Sequence, residues 1–112
     1  MLGEYTPFLL SDVKNELGFS VLDEDAEQDA RLTRYLQQGD AMLERIAGCA
    51  LDYMQDAEAR GLLVDYCRYA NAQAAAHFPE NYAEDLASLH ARYAVSAYRT
   101  QQEGGDGDGE TA

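Results

Sequence analysis

Only a few side chains in this sequence belong to the types that carry covalent or metal chemistry, and their spacing limits what they can do. His77 and His90 are the two histidines. A helical metal site needs a glutamate-x-x-histidine pair repeated on facing helices, and neither Glu80 nor Asp85 stands at that spacing. Cys49 and Cys67 lack the paired C-x-x-C pattern of zinc sites and are too few for a disulfide framework. Both are read as small buried apolar residues. Cys67 also lies in an apolar stretch that disfavours the thiolate. The run Asp106-Gly107-Asp108-Gly109-Glu110 has the flavour of a calcium loop, but no downstream glutamate or helix follows it. There is no glycine-rich phosphate loop, no nucleophile elbow, and no serine–histidine–acid set. The reading is of a protein that is not an enzyme and has no metal or cofactor.

The tyrosines say more. Tyr35, Tyr53, Tyr66, Tyr69, Tyr82, Tyr93 and Tyr98 lie in a body without tryptophan and with little phenylalanine. Arg68 stands between Tyr66 and Tyr69. Tyrosine with arginine is enriched at protein–protein contacts. Tyrosines also fill small cores with their hydroxyls at the edge, and both readings stay open at this point.

Periodicity supplies the elements that would position these groups. Residues 1–10 read as an extended arm with Tyr5 and Phe8 as anchors. Ser11 is the expected N-cap of a short helix that buries Val13 and Leu17 and stops at Gly18. After a linker over 19–22, Asp23-Glu24-Asp25 leads into a long helix, where negative charge complements the helix dipole. Leu32, Tyr35, Leu36, Met42, Leu43 and Ile46 form its apolar face, Gly39 permits a close contact or mild bend, and Gly48 ends it. Residues 49–55 read as an extended connector carrying Leu51, Tyr53 and Met54. Asp56 caps a third helix expected to present Leu62, Leu63, Tyr66, Ala70, Gln73, Ala74 and His77. Pro79 breaks the chain. Asn81 and Glu84 have the form of a capping box for a fourth helix, with Tyr82, Leu86, Leu89, Tyr93 and Ala97 on one stripe packed antiparallel on the third. Residues 103–112 are glycine and acid with no apolar side chain before Ala112 and are expected to be a disordered tail. The expected fold is all-α, a compact bundle of about four helices, one short and three longer, organised as arm (1–10), domain (11–102) and tail (103–112).

The 112 residues carry a formal net charge of −13. Residues 23–29 hold five acids and residues 103–112 hold four, with no base in either, whereas residues 30–102 set nine acids against seven arginines. This balance argues against binding phosphate backbones, whose affinity comes from Lys and Arg displacing counterions, and against anionic membranes. The absence of a basic start and the presence of Glu4 and Pro7 argue against a signal peptide, and the apolar runs are too short to span a bilayer. A reducing compartment fits the cysteines.

The acidic lead at 23–29, the faces Leu32/Tyr35/Leu36 and Met42/Leu43/Ile46, and the stretches Leu62–Ala70 and Phe78–Leu89 together resemble the small head–tail connector (adaptor) proteins of tailed bacteriophages, over roughly residues 9–100. The resemblance implies a structural subunit of an oligomeric ring under the portal protein. Such a ring extends the DNA channel and offers a platform to head-completion or tail-terminator proteins. It implies a place in the virion at the head–tail interface, and in the host cytoplasm during assembly. A closing ring needs two different surfaces on each subunit. Arg60, Tyr66, Arg68 and Tyr69 are the expected subunit contacts, and Tyr5 and Phe8 the expected docking anchors. A channel through which DNA slides should not hold phosphates, which suits an acidic chain. The rival reading is a small acidic interaction module binding a single partner as a chaperone, antirepressor or DNA-mimic inhibitor. Mimicry expects carboxylates spread over the folded face, whereas here the surplus sits in a helix lead and a tail.

Overall fold

The computed structural model describes residues 2–19 and 25–110, with side chains described as far as Ser96. The linker residues 20–22, the acidic pair Asp23-Glu24, and residues 1, 111 and 112 lie outside the described residues. Five helices follow one another: α1 (Thr6–Leu17), α2 (Ala26–Ala47), α3 (Ala57–Asn71), α4 (Phe78–Asn81) and α5 (Ala83–Glu110). No strand occurs among the described residues.

The expected extended arm is instead helical. A single 3₁₀ turn at Gly3–Tyr5 runs straight into α1, so Ser11 lies mid-helix and caps nothing. Pro7 occupies the first turn, where its missing N–H has no partner to lose. Leu9 and Val13 are both fully buried at i and i+4, so the apolar face begins a full turn earlier than Val13. Gly18 closes α1 in the left-handed conformation, φ 79°.

The Asp25 carboxylate accepts from the N–H groups of Glu27 and Gln28, starting α2. Leu32, Leu36, Gly39, Leu43 and Ala47 form its buried stripe, and Gly48 ends it with φ 81°. α2 is the central helix: α1, α3 and α5 all pack on it. At Gly39 a built Cβ would come within 2.7 Å of Leu63 Cδ1 and 2.8 Å of Tyr66 Cδ2, so the absent side chain sets the α2–α3 distance. Lys14, the one lysine of the sequence, is only 5% exposed, and its Nζ lies 2.7 Å from Asp29 Oδ1. That pair ties α1 to the first turns of α2.

The third helix is shorter than its alanine-rich continuation predicts. α3 ends at Asn71, with Gln73 left-handed at φ 60°. Ala74 N–H donates to Tyr69 O at 2.8 Å and Gln73 N–H to Ala70 O at 3.0 Å, the paired bonds of a Schellman cap with glutamine where glycine is usual. Helix propensity in 72–76 yields to a turn that brings Phe78, fully buried, back against α3. Residues 75–77 make a 3₁₀ turn and α4 follows with Pro79 in its first turn. Asn81 lies inside α4 and donates to Tyr69 Oη, so the expected Asn81/Glu84 capping box does not form. α5 packs chiefly on α2 rather than on α3, through buried Leu86 and Leu89. Its backbone runs on to Glu110 through Gly104, Gly105, Gly107 and Gly109. Each of these disfavours helix by roughly 1 kcal/mol against alanine. The flexible tail expected there is therefore a stretch of low intrinsic helix stability.

Gly39→Ala is expected to lower the urea midpoint. Overpacking against buried Leu63 costs about 1–3 kcal/mol, more than the roughly 1 kcal/mol of helix propensity gained. Gly61→Ala, where a Cβ meets no atom within 4 Å, is expected to raise the midpoint by the equivalent of about 0.5–1 kcal/mol. Equal shifts in the two variants would contradict the packing assigned to Gly39.

Candidate functional site

Three of the four candidate contact residues, Tyr66, Arg68 and Tyr69, gather at the corner where α3 meets α4. Phe78 fills it. The rings of Tyr66 and Tyr69 stand edge-on to Phe78 at 5.5 Å, and Tyr82 stacks on it at 4.4 Å with 16° between planes. Edge-to-face and offset pairs of this kind add to simple burial. The hydroxyls face outward and find partners: Tyr82 Oη donates to Asp65 Oδ2 at 3.0 Å and accepts from Arg68 Nη2 at 3.1 Å, and Tyr69 Oη accepts from Asn81 Nδ2 at 3.0 Å. Arg68 also lies over the Tyr69 ring at 5.3 Å. Burial, with the Asp65 bond behind it, raises the Tyr82 phenol above its ordinary value, so it is a neutral donor at physiological pH.

Arg60 faces a different neighbour. Its Nη1 donates to Tyr53 O at 3.1 Å, and the fully buried Tyr53 donates its hydroxyl to Asp40 Oδ1 at 2.7 Å. Burial foremost, then Asp40, pushes the Tyr53 phenol well up. Glu44 accepts from Leu51 N–H at 2.8 Å, and with this bond the 49–55 connector is pinned to α2 as a turn carrying buried Leu51 and Tyr53. Of the four expected contacts, then, Tyr66, Arg68 and Tyr69 share the corner and Arg60 stands apart on the α1-facing side. All four are partly exposed.

Asp56 is the group that periodicity undervalues. It caps α3 through Ala59 N–H at 3.0 Å, as its position predicts. It also accepts from Arg92 Nη1 at 3.0 Å and from the Tyr93 hydroxyl, both from α5. Burial works to raise its pKa, but Tyr93, the Ala59 N–H and Arg92 outweigh it and hold the carboxyl below the usual aspartate range. No spacing rule links residues 56 and 92, so this bond was not visible in the sequence.

Tyr5 packs partly buried against the core, while Phe8 on α1 is 64% exposed, more so than Val95, the other large apolar side chain exposed among the described residues. Cys67 is buried, and burial pushes its thiol up to about 12, so it stays protonated. Cys49, expected inside, is exposed because Gly48 ends α2 and turns the chain outward just before it. His77 and His90 are both exposed, and His90 Nδ1 donates to Ile46 O at 2.9 Å, tying α5 to the end of α2. Among the described residues, no three His, Cys, Asp or Glu side chains are grouped to hold a metal ion, and no helix is long and apolar enough to cross a membrane. No protein-family model, curated protein or solved structure matches this chain.

Two outcomes are expected. Phe78→Ala should remove about 3–5 kcal/mol in urea denaturation, whereas Tyr69→Phe, losing only the Asn81 bond, should remove about 1 kcal/mol. Asp56 has a folded-state pKa below its unfolded one. Its contribution is therefore complete above the ordinary aspartate value of about 3.9 and is lost as pH falls through the folded value. Asp56→Asn keeps the cap but not the charge, so it should flatten the acid side of the stability–pH curve, and an unchanged acid limb would sink the assignment.

Proposed function

We propose that this chain is a structural subunit of a phage head–tail connector, a ring under the portal protein that prolongs the DNA channel and receives head-completion or tail-terminator proteins. In this reading it resides in the virion at the head–tail interface and passes through the host cytoplasm during assembly. The proposal rests on the sequence resemblance. One observation of structure carries it further: the subunit offers two chemically unlike exposed features on different helices. One is the Arg68-bearing tyrosine corner of α3 and α4, and the other is α1 with Phe8 outward. A closed heterologous ring requires unlike surfaces of this kind on every copy. Arg68, with its side chain 43% exposed, is assigned to the subunit contact, and Tyr66 and Tyr69 shape the surface on which it stands. Arg60 is assigned to the same contact, and Tyr5 and Phe8 to the portal-facing side. DNA passes through the ring without specific contacts, since the chain has few bases to hold phosphates.

Electron microscopy of this protein mixed with a phage portal protein, from the same genome if it encodes one, tests the reading. A ring of added density on the tail-facing end of the portal is expected, and it should be lost with Arg68→Ala while the melting temperature of the free subunit holds. A folded subunit that adds no density would overturn the connector role in favour of a module binding one other partner.

A further inference from the structure

The turn out of α3 is held in a conformation that its own residues disfavour. Positions 72, 74, 75 and 76 are alanine, the strongest helix former. Yet α3 stops at Asn71, and the chain reverses within residues 72–77. Gln73 makes the reversal at φ 60° and is the one non-glycine residue with positive φ among those described. An L side chain in that region carries a steric cost that glycine avoids. Ala72, Gln73, Ala76 and His77 are exposed, and none of residues 72–77 is buried.

The contacts that hold the turn lie beyond it. Phe78 is fully buried with Tyr66 and Tyr69 edge-on, and Asn81 donates to the Tyr69 hydroxyl. Leu86 and Leu89 are buried as α5 packs on α2. His90 donates to Ile46 O, and Arg92 and Tyr93 donate to Asp56. Each of these contacts joins position 78 or later to position 69 or earlier, and none uses the turn. An identical α4–α5 unit from a second copy supplies all of them equally well. When residues 72–77 continue α3 as helix, the chain no longer reverses. The extension ends near Pro79, which cannot bond to the carbonyl four residues before it. α3 then runs over 57–77, about 31 Å at a rise of about 1.5 Å per residue, and carries α4 and α5 away from their own α2.

We infer that α4 and α5 exchange between two copies of this chain, with residues 72–77 as the hinge, a turn in the monomer and helix in the dimer. The exchanged dimer keeps the contacts of the monomer, releases Gln73 from its left-handed conformation and gains the helix propensity of the four alanines. Against it stands the entropy of association, so concentration selects between the two forms. Short hinges under strain favour exchange of this kind. The occupant of the vacated α2 face is a second copy, because the face is already complementary to Phe78, Leu86 and Leu89 of this sequence. The inference concerns the free subunit and stands apart from the connector reading.

The test is size-exclusion chromatography with light scattering on the full chain. The protein is held at about millimolar concentration a few degrees below its melting temperature, under reducing conditions because Cys49 is exposed, then diluted in the cold. A dimer that persists through the column run is expected, since its dissociation requires α5 to leave α2, whereas a dimer of surface contacts dissociates on dilution. Gln73→Gly favours the turn and disfavours the helix. It is expected to lower the association constant by about tenfold or more and to raise the melting temperature. Ala87→Gly, at an exposed position of α5 that is helical in both forms, should leave the association constant unchanged. No persistent dimer in the wild type, wild-type dimerisation in Gln73→Gly, or an equal effect of Ala87→Gly would each overturn the inference.

Discussion

The contact between Leu63, Tyr66 and the bare backbone of Gly39 is the constraint on which the rest of this structure depends. It lets α3 lie against α2 closely enough for Leu36 and Leu43 to be sealed without a gap, and side-chain interiors tolerate few gaps. It also fixes where the Tyr66 ring points. That ring meets Phe78 edge-on, and Phe78 in turn fixes the turn out of α3, the short α4 and the direction in which α5 returns to α2. A side chain at position 39 would therefore disturb the corner of α3 and α4 as well as the helix pair.

Around this apolar centre the helices are joined at their margins by buried and half-buried polar groups, each of which serves more than one element. Asp56 caps α3 and holds α5, Tyr53 joins the connector to Asp40, and Lys14 joins α1 to α2. A domain of this size has a net stability of only about 5–15 kcal/mol. Satisfying a buried polar group matters more there than the net gain of the bond, since an orphaned group costs about 1–3 kcal/mol.

Much of the helical layout was legible because single residues announce helix ends unambiguously. Gly18, Gly48, Asp25 and Asp56 end or begin helices where their chemistry says they should. The misread portions are those where a tertiary contact overrides a local preference. Residues 1–10 read as an extended arm, yet Pro7 sits in the first turn of α1, because Leu9 gains full burial one turn before Val13. The alanines after Asn71 favour helix, but burial of Phe78 favours a turn, and Gln73 takes a conformation that a reader assigns to glycine. Of the candidate contacts, the shared neighbourhood of Tyr66, Arg68 and Tyr69 followed from their spacing. Their partners Phe78, Asn81 and Tyr82 did not, because the turn that delivers them was hidden.

The burial of Lys14 has a bearing on how this protein meets reagents and modifying enzymes. With its one lysine folded against Asp29, the surface presents no ε-amino group for acylation, reductive alkylation or amine-directed cross-linking. Any such adduct at position 14 must form while α1 stands away from α2. Lysine labelling, ordinarily a survey of the outside of a protein, becomes here a clock for a single internal opening.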